Sequence, residues 1–271
     1  MSSEYLTLPA PGEMGELTLT AAQSLNCLIY RPTEELRPER ILVAVHGISR
    51  NYRSQAAAFR SMAERLGICL IAPLFDSDRF PNYQRLAAKP GQRRADLAFS
   101  MLLLTWQTAR RLSELKIHLF GYSGGAQFAH RYAYLYPERI ATLSACSAGW
   151  YTLPSSDIAY PYGLKSWPQW LGTPRSEELI RLPVLGLVGG QDCQRDASLR
   201  KSDRLDRCQG YNRIERIESW IEHINIRRSE LGMANHALLH LMPGLAHDFD
   251  ACAQSGLMLP TIEQFIQSHG R

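Results

Sequence analysis

One serine stands where its hydroxyl can be made reactive. Gly121-Tyr122-Ser123-Gly124-Gly125 follows a short apolar run and precedes a longer amphipathic one. That is the strand–turn–helix setting in which a G-x-S-x-G serine sits exposed on a sharp, strained bend. Glycines on both sides let the backbone approach where a Cβ would clash. The helix leaving the bend turns its positive end toward a developing oxyanion. By composition alone the pattern arises in roughly one chain in ten of this length, so the setting carries more weight than the pattern. The competing reading is a glycine-rich turn with an incidental serine.

A serine hydroxyl is a weak nucleophile near neutral pH and needs a base, itself oriented by an acid. With the serine first in the chain, the acid and then the base should follow. Gly189-Gly190-Gln191-Asp192 comes directly after the apolar run 184–188. That is the carboxyl edge of an open sheet, where reactive groups collect. Asp192 is therefore the expected acid and Asp196 its rival; an aspartate there would otherwise cap a turn or helix. His247, in Pro243-Gly244-Leu245-Ala246-His247-Asp248, lies just past the last apolar run and is the expected base. Of the other histidines, His236 and His240 fall within that run, His118 precedes the serine's turn, and His130, His223 and His269 fall on helices. His46, at a strand end, reads as structural. Two backbone N–H groups should bind the oxyanion, that of Gly124 and that of Ile48, with Ser49 the alternative to Ile48.

These residues need a scaffold, and the patterning describes one. Short apolar runs alternate with longer amphipathic ones, the mark of a mostly parallel sheet covered by helices. Strands are expected at 17–20, 25–30, 41–45, 68–72, 117–120, 140–146, 184–188 and 236–241. Helices are expected at 55–66, 93–112, 125–136 and 261–269. Leu97, Met101, Leu104 and Thr108 share one face of the second helix. Ile214, Ile217, Ile221 and Ile224 recur at helical spacing and should face the core. The segment 150–181, rich in aromatics and prolines, reads as a lid-like insertion in a single domain spanning 1–271. Its Trp150 and Tyr151, with Tyr122 and Phe75, are candidates to wall an apolar substrate pocket; packing the insertion onto the sheet is the equal alternative. Arg79, Arg85 and Arg175 are candidates to meet a substrate carboxylate.

Composition narrows the class. With 271 residues, 45% hydrophobic and 21% charged, the chain buries a core large enough to need no staple. A net charge of +4 with scattered arginines argues against a nucleic-acid partner. The doublets Arg93-Arg94, Arg110-Arg111 and Arg227-Arg228 read as solvated helix faces. Six cysteines without C-x-x-C pairs argue against a zinc site. Cys27, Cys69 and Cys146 read as core residues, and a Cys193–Cys208 pair stays open. Neither a signal peptide nor an apolar stretch of membrane-spanning length is visible, which leads to an expectation of a cytoplasmic location.

Taken together, Val45-His46-Gly47-Ile48, Gly121-Tyr122-Ser123-Gly124-Gly125, Gly190-Gln191-Asp192 and His247 resemble the α/β-hydrolase superfamily from about residue 41 to the C-terminus. Within it the chain looks most similar to small bacterial esterases and the polyhydroxyalkanoate-depolymerase-like branch. No export signal or extra binding module of the kind secreted polyester depolymerases carry is visible, which leads to the expectation that solid polymer is not the substrate. The resemblance implies an α/β-hydrolase fold and a serine hydrolase with a Ser-His-Asp triad. It further implies a small-molecule ester substrate, an acyl-enzyme intermediate, and no metal or organic cofactor. An acyltransferase, a thioesterase or a C–C bond hydrolase on the same triad remains open, as does a non-catalytic ligand receptor. Oligomeric state is not specified.

Overall fold

Continuous apolar segments bounded by turns become the strands of one sheet. The computed structural model describes residues 7–18 and 25–269; of the strand expected at 17–20, residues 17 and 18 end β1, and 19–20 lie outside the described residues. The strands are β1 (Met14–Thr18), β2 (Asn26–Tyr30), β3 (Arg40–Val45), β4 (Cys69–Leu74), β5 (Lys116–Tyr122), β6 (Ile140–Cys146), β7 (Val184–Gly189) and β8 (Leu238–Met242). Their spatial order is β1-β2-β4-β3-β5-β6-β7-β8. The first two pairings, β1 with β2 and β2 with β4, are antiparallel; every pairing from β4 to β8 is parallel.

The helices are α1 (Tyr52–Leu66), α2 (Ala95–Ala109), α3 (Gly124–Leu135), α4 (Ser176–Arg181), α5 (Asp203–Gln209), α6 (Arg213–Glu230), α7 (Phe249–Gln254) and α8 (Met258–His269). Successive strand side chains point to opposite faces, and the core divides accordingly. Ile41, Val43 and Val45 pack with α2, α3 and α6 on one face. Leu42 and Ala44 pack with α1 and α8 on the other. The sheet stays open, so its carboxyl edge is free to carry loops. This is the α/β-hydrolase fold.

The elements meet some expectations and correct others. On α2 the stripe Leu97, Met101 and Leu104 is exposed, while Ala98, Phe99, Leu102, Leu103 and Trp106 are buried. The helix is apolar on more than one side, and the large aromatics took the core. His236 lies outside β8, which begins at Leu238. The isoleucine stripe belongs to the 18-residue α6; its Ile217, Ile221 and Ile224 are buried, and Ile214 is half-buried.

The arginine doublets are not plain solvated faces, because one member of each turns inward. Arg94 clamps Asp96 through two bonds, at 2.8 and 2.5 Å, and donates to the carbonyls of Trp170 and Leu171. Arg110 pairs with Glu35, and buried Arg228 donates to the carbonyls of Ile180 and Leu182. Two of the three thereby tie segment 150–181 to the body. That segment carries its own α4, and its Trp150, Tyr151, Leu153 and Tyr162 are buried. Cys27, Cys69 and Cys146 are buried in the core, and all six cysteines are free thiols.

Candidate active site

The bend after β5 is as tight as its glycines require. Ser123 has φ 53° and ψ −111°, a conformation costing about 1–3 kcal/mol that only a supporting frame maintains. A Cβ on Gly121 would stand 2.2 Å from the Gly125 carbonyl oxygen, and one on Gly125 would stand 2.1 Å from that of Val45. Nothing larger than glycine fits at either position without moving backbone. The turn is also tied sideways, by a 2.8 Å bond from the Ser123 N–H to the Cys146 carbonyl.

Two loops at the same sheet edge carry the other groups, and they are knitted to one another. The Gly190 N–H donates to the Met242 carbonyl at 2.7 Å, and the Gln191 N–H to the Leu245 carbonyl at 2.8 Å. Asp192 follows at once and is buried. His247 precedes α7, whose N-terminus is capped by Asp248 accepting from the Ala251 N–H at 2.9 Å. Asp192 Oδ2 stands 2.8 Å from His247 Nδ1, and His247 Nε2 stands 3.1 Å from Ser123 Oγ. The imidazole lies against the Tyr122 ring at 5.2 Å between centroids. The structure thus brings Ser123, His247 and Asp192 together. Asp196 reaches Arg213 instead, at 3.1 Å.

The loop after β3 completes the site. An ideal Cβ on Gly124 would lie 3.3 Å from the Ile48 nitrogen, so these two amides are neighbours. Gly124 opens α3, where N–H groups have no intrahelical acceptor. His46 is fully buried, and burial lowers its pKa to about 4, with Arg50 acting in the same direction. It is therefore neutral. Its Nε2 accepts from the Phe75 N–H at 2.9 Å, which leaves Nδ1–H to donate to the Gly47 carbonyl at 2.7 Å. The histidine expected to be structural thus braces the loop that carries Ile48.

A cleft of about 290 Å³ opens over these groups. Gly47, Ile48, Ser49 and Asn51 line it together with Tyr122, Ser123, Ser198 and residues 247–250. Of the four side chains expected to contact substrate, Tyr122 lines this cleft. Phe75 stacks on Tyr83 at 5.0 Å, and Tyr151 stacks on Trp220 at 4.6 Å, both fully buried. Trp150 lies beneath Arg131, whose guanidinium is 4.1 Å from the ring centroid. These aromatics bury more area against the core than a cleft wall would allow. Arg79 is paired with Asp76 and Arg175 with Glu138 and Glu178, away from the cleft. Sequence reasoning missed Arg213 and Ser198, which no local motif marks.

No protein-family model and no curated protein sequence matches the chain. Among solved structures it is similar to poly(aspartic acid) hydrolase-1 from Sphingomonas sp. KT-1, with 25% identity, a TM-score of 0.78, and 93% of this chain and 99% of that one covered. It is similar to the poly(3-hydroxybutyrate) depolymerase LpqC of Bordetella parapertussis at 22% identity and TM-score 0.76, covering 94% and 95%. An S-formylglutathione hydrolase from Agrobacterium tumefaciens aligns at 14% identity and TM-score 0.62, covering 97% and 96%. Fold and comparisons together define the class. The chain is an α/β-hydrolase-fold protein.

Proposed function

We propose that the protein hydrolyses a carboxylic ester of a small molecule through an acyl-enzyme on Ser123. The observation that carries this reading is the unbroken chain Asp192–His247–Ser123, at 2.8 and 3.1 Å, ending in an open cleft. His247 Nε2 takes the hydroxyl proton as Ser123 Oγ adds to the carbonyl carbon. Asp192 holds the Nδ1–H and stabilises the imidazolium that forms. The N–H groups of Gly124 and Ile48 receive the oxyanion, each contributing about 3 kcal/mol by the usual worth of such donors. The tetrahedral species collapses, the alkoxide leaves with the proton from His247, and the acyl group stays on Ser123. Water then adds, its proton passing to His247, and a second collapse frees the acid and the serine.

A second reading, cleavage of an amide in an acidic polymer, is favoured by the similarity to poly(aspartic acid) hydrolase-1. The cleft speaks against it: Asp248 and Asp250 stand among its lining residues, and among the described residues no lysine or arginine does. A polyanion would meet like charge there. Labelling with a fluorophosphonate, followed by peptide mass spectrometry, tests the proposal. A single adduct on Ser123, lost in His247→Ala, is expected; folded protein that takes up no label at Ser123 overturns it.

A further inference from the structure

Asp192 does not face His247 alone. Its two carboxylate oxygens are divided: Oδ2 meets His247, and Oδ1 receives Arg213 Nη1 at 3.1 Å. Both side chains are 1% exposed. The same guanidinium reaches Asp196 at 3.1 Å and donates from Nη2 to Ser198 Oγ at 2.6 Å. Arg213 is the first residue of α6, held in place by Asn212, whose side chain accepts from the Glu215 N–H at 3.1 Å. A rigid helix start thus delivers a buried cation to the back of the acid.

We infer that Arg213 is a positioning residue for the reaction: it fixes Asp192 and, balanced by Asp196, sets how much negative charge the acid presents to His247. The inference rests on the Ser123–His247–Asp192 reading above. A buried carboxylate without a partner is costly, and a hydrogen-bonded cation relieves that cost. The same cation opposes the imidazolium, because it offsets the charge that stabilises His247 once protonated. Asp196, 40% exposed on the far side of Arg213, returns part of that charge.

The phenols and thiols around the pair are neutral near pH 7. Burial raises the phenols of Tyr122 and Tyr151 and the thiols of Cys146 and Cys252 above their ordinary ranges. Arg216, on the same helix as Arg213, is paired with Asp206 at 2.9 Å. Asp248, beside His247, faces Cys252 and caps α7. Asp192, Arg213 and Asp196 therefore form the charged line behind the imidazole, and its two ends act in opposite directions.

The pH dependence of kcat/KM on p-nitrophenyl acetate separates this from a packing role. In Asp196→Asn the full charge of Arg213 falls on Asp192, and the acidic limb should move down by about 0.5 unit. In Arg213→Met the limb should move up by about 0.5 to 1 unit, with kcat reduced roughly tenfold or more; Arg213→Lys should lie between Arg213→Met and wild type. Asp196 is a surface position, so its variant decides the matter even where Arg213→Met does not fold. A limb that stays in place or rises in Asp196→Asn overturns the inference, as does one that stays or falls in folded Arg213→Met. Loss of fluorophosphonate labelling in the wild type would instead overturn the triad reading beneath it.

Discussion

A neutral imidazole outside the proposed proton relay holds the loop that carries the proposed oxyanion amide. His46 accepts from the Phe75 N–H and donates to the Gly47 carbonyl, while Tyr83 donates to the His46 carbonyl at 2.7 Å. Replacing it in His46→Leu leaves the Phe75 N–H buried and unpaired, at a cost of about 1–3 kcal/mol. The Ile48 amide then loses its brace. Steady-state kinetics should show kcat down about tenfold with KM little changed, less than the loss on deleting an oxyanion donor outright. An unchanged kcat would separate His46 from the site. At this scale the meeting of Ser123, Asp192 and His247 was legible because each follows a strand, in an order that the proposed chemistry constrains. Arg213 was not, because a cation at the start of a helix looks the same whether it meets solvent or a buried carboxylate. Phe75 and Tyr151 misled because an aromatic's type does not say which side of a wall it faces.

Elements were legible where burial is two-sided. The runs that became β3 and β7 are continuous in apolar residues and glycine, as strands covered on both faces are. α2 was harder: its stripe at 97, 101 and 104 satisfies helical spacing, yet so does the buried set around Phe99 and Trp106. Size decides between the two, since a buried tryptophan stabilises more than a leucine. Leu104→Gln should therefore change stability by less than about 0.5 kcal/mol, whereas Trp106→Ala should lose about 3–5 kcal/mol. Chemical denaturation of the two variants checks the contrast. Equal losses would mean that α2 packs the way its sequence spacing suggests.

At the scale of the whole molecule, three histidines among the described residues are buried without charge. Burial lowers His46 and His118 to about 4, with Arg40 and Arg37 adding to the effect on His118; His130 lies well below its ordinary value, again by burial and then Arg131. The unfolded chain binds protons at these sites between about pH 6.5 and 4 while the folded one does not, so stability rises with pH across that window. The contribution is complete above about pH 6.5 and lost as pH falls toward 4, at roughly 3 kcal/mol for each of His46 and His118. Asp196, held low by Ser198 and Arg213, extends the loss below pH 4. Melting temperature should fall steeply from pH 6.5 to 4, and His118→Gln should flatten the slope. A melting temperature constant over that range would contradict the neutral assignment. Among the described residues no helix is long and apolar enough to cross a membrane.

The central claim is that Ser123 carries the acyl group between the two halves of the reaction. Rapid mixing with excess p-nitrophenyl acetate, an acid quench and peptide mass spectrometry test it most directly. A burst approaching one equivalent of nitrophenol, with acetyl recovered on the peptide holding Ser123, is the predicted result. Steady turnover by protein whose Ser123 never acquires acetyl, or undiminished turnover by Ser123→Ala, would contradict it.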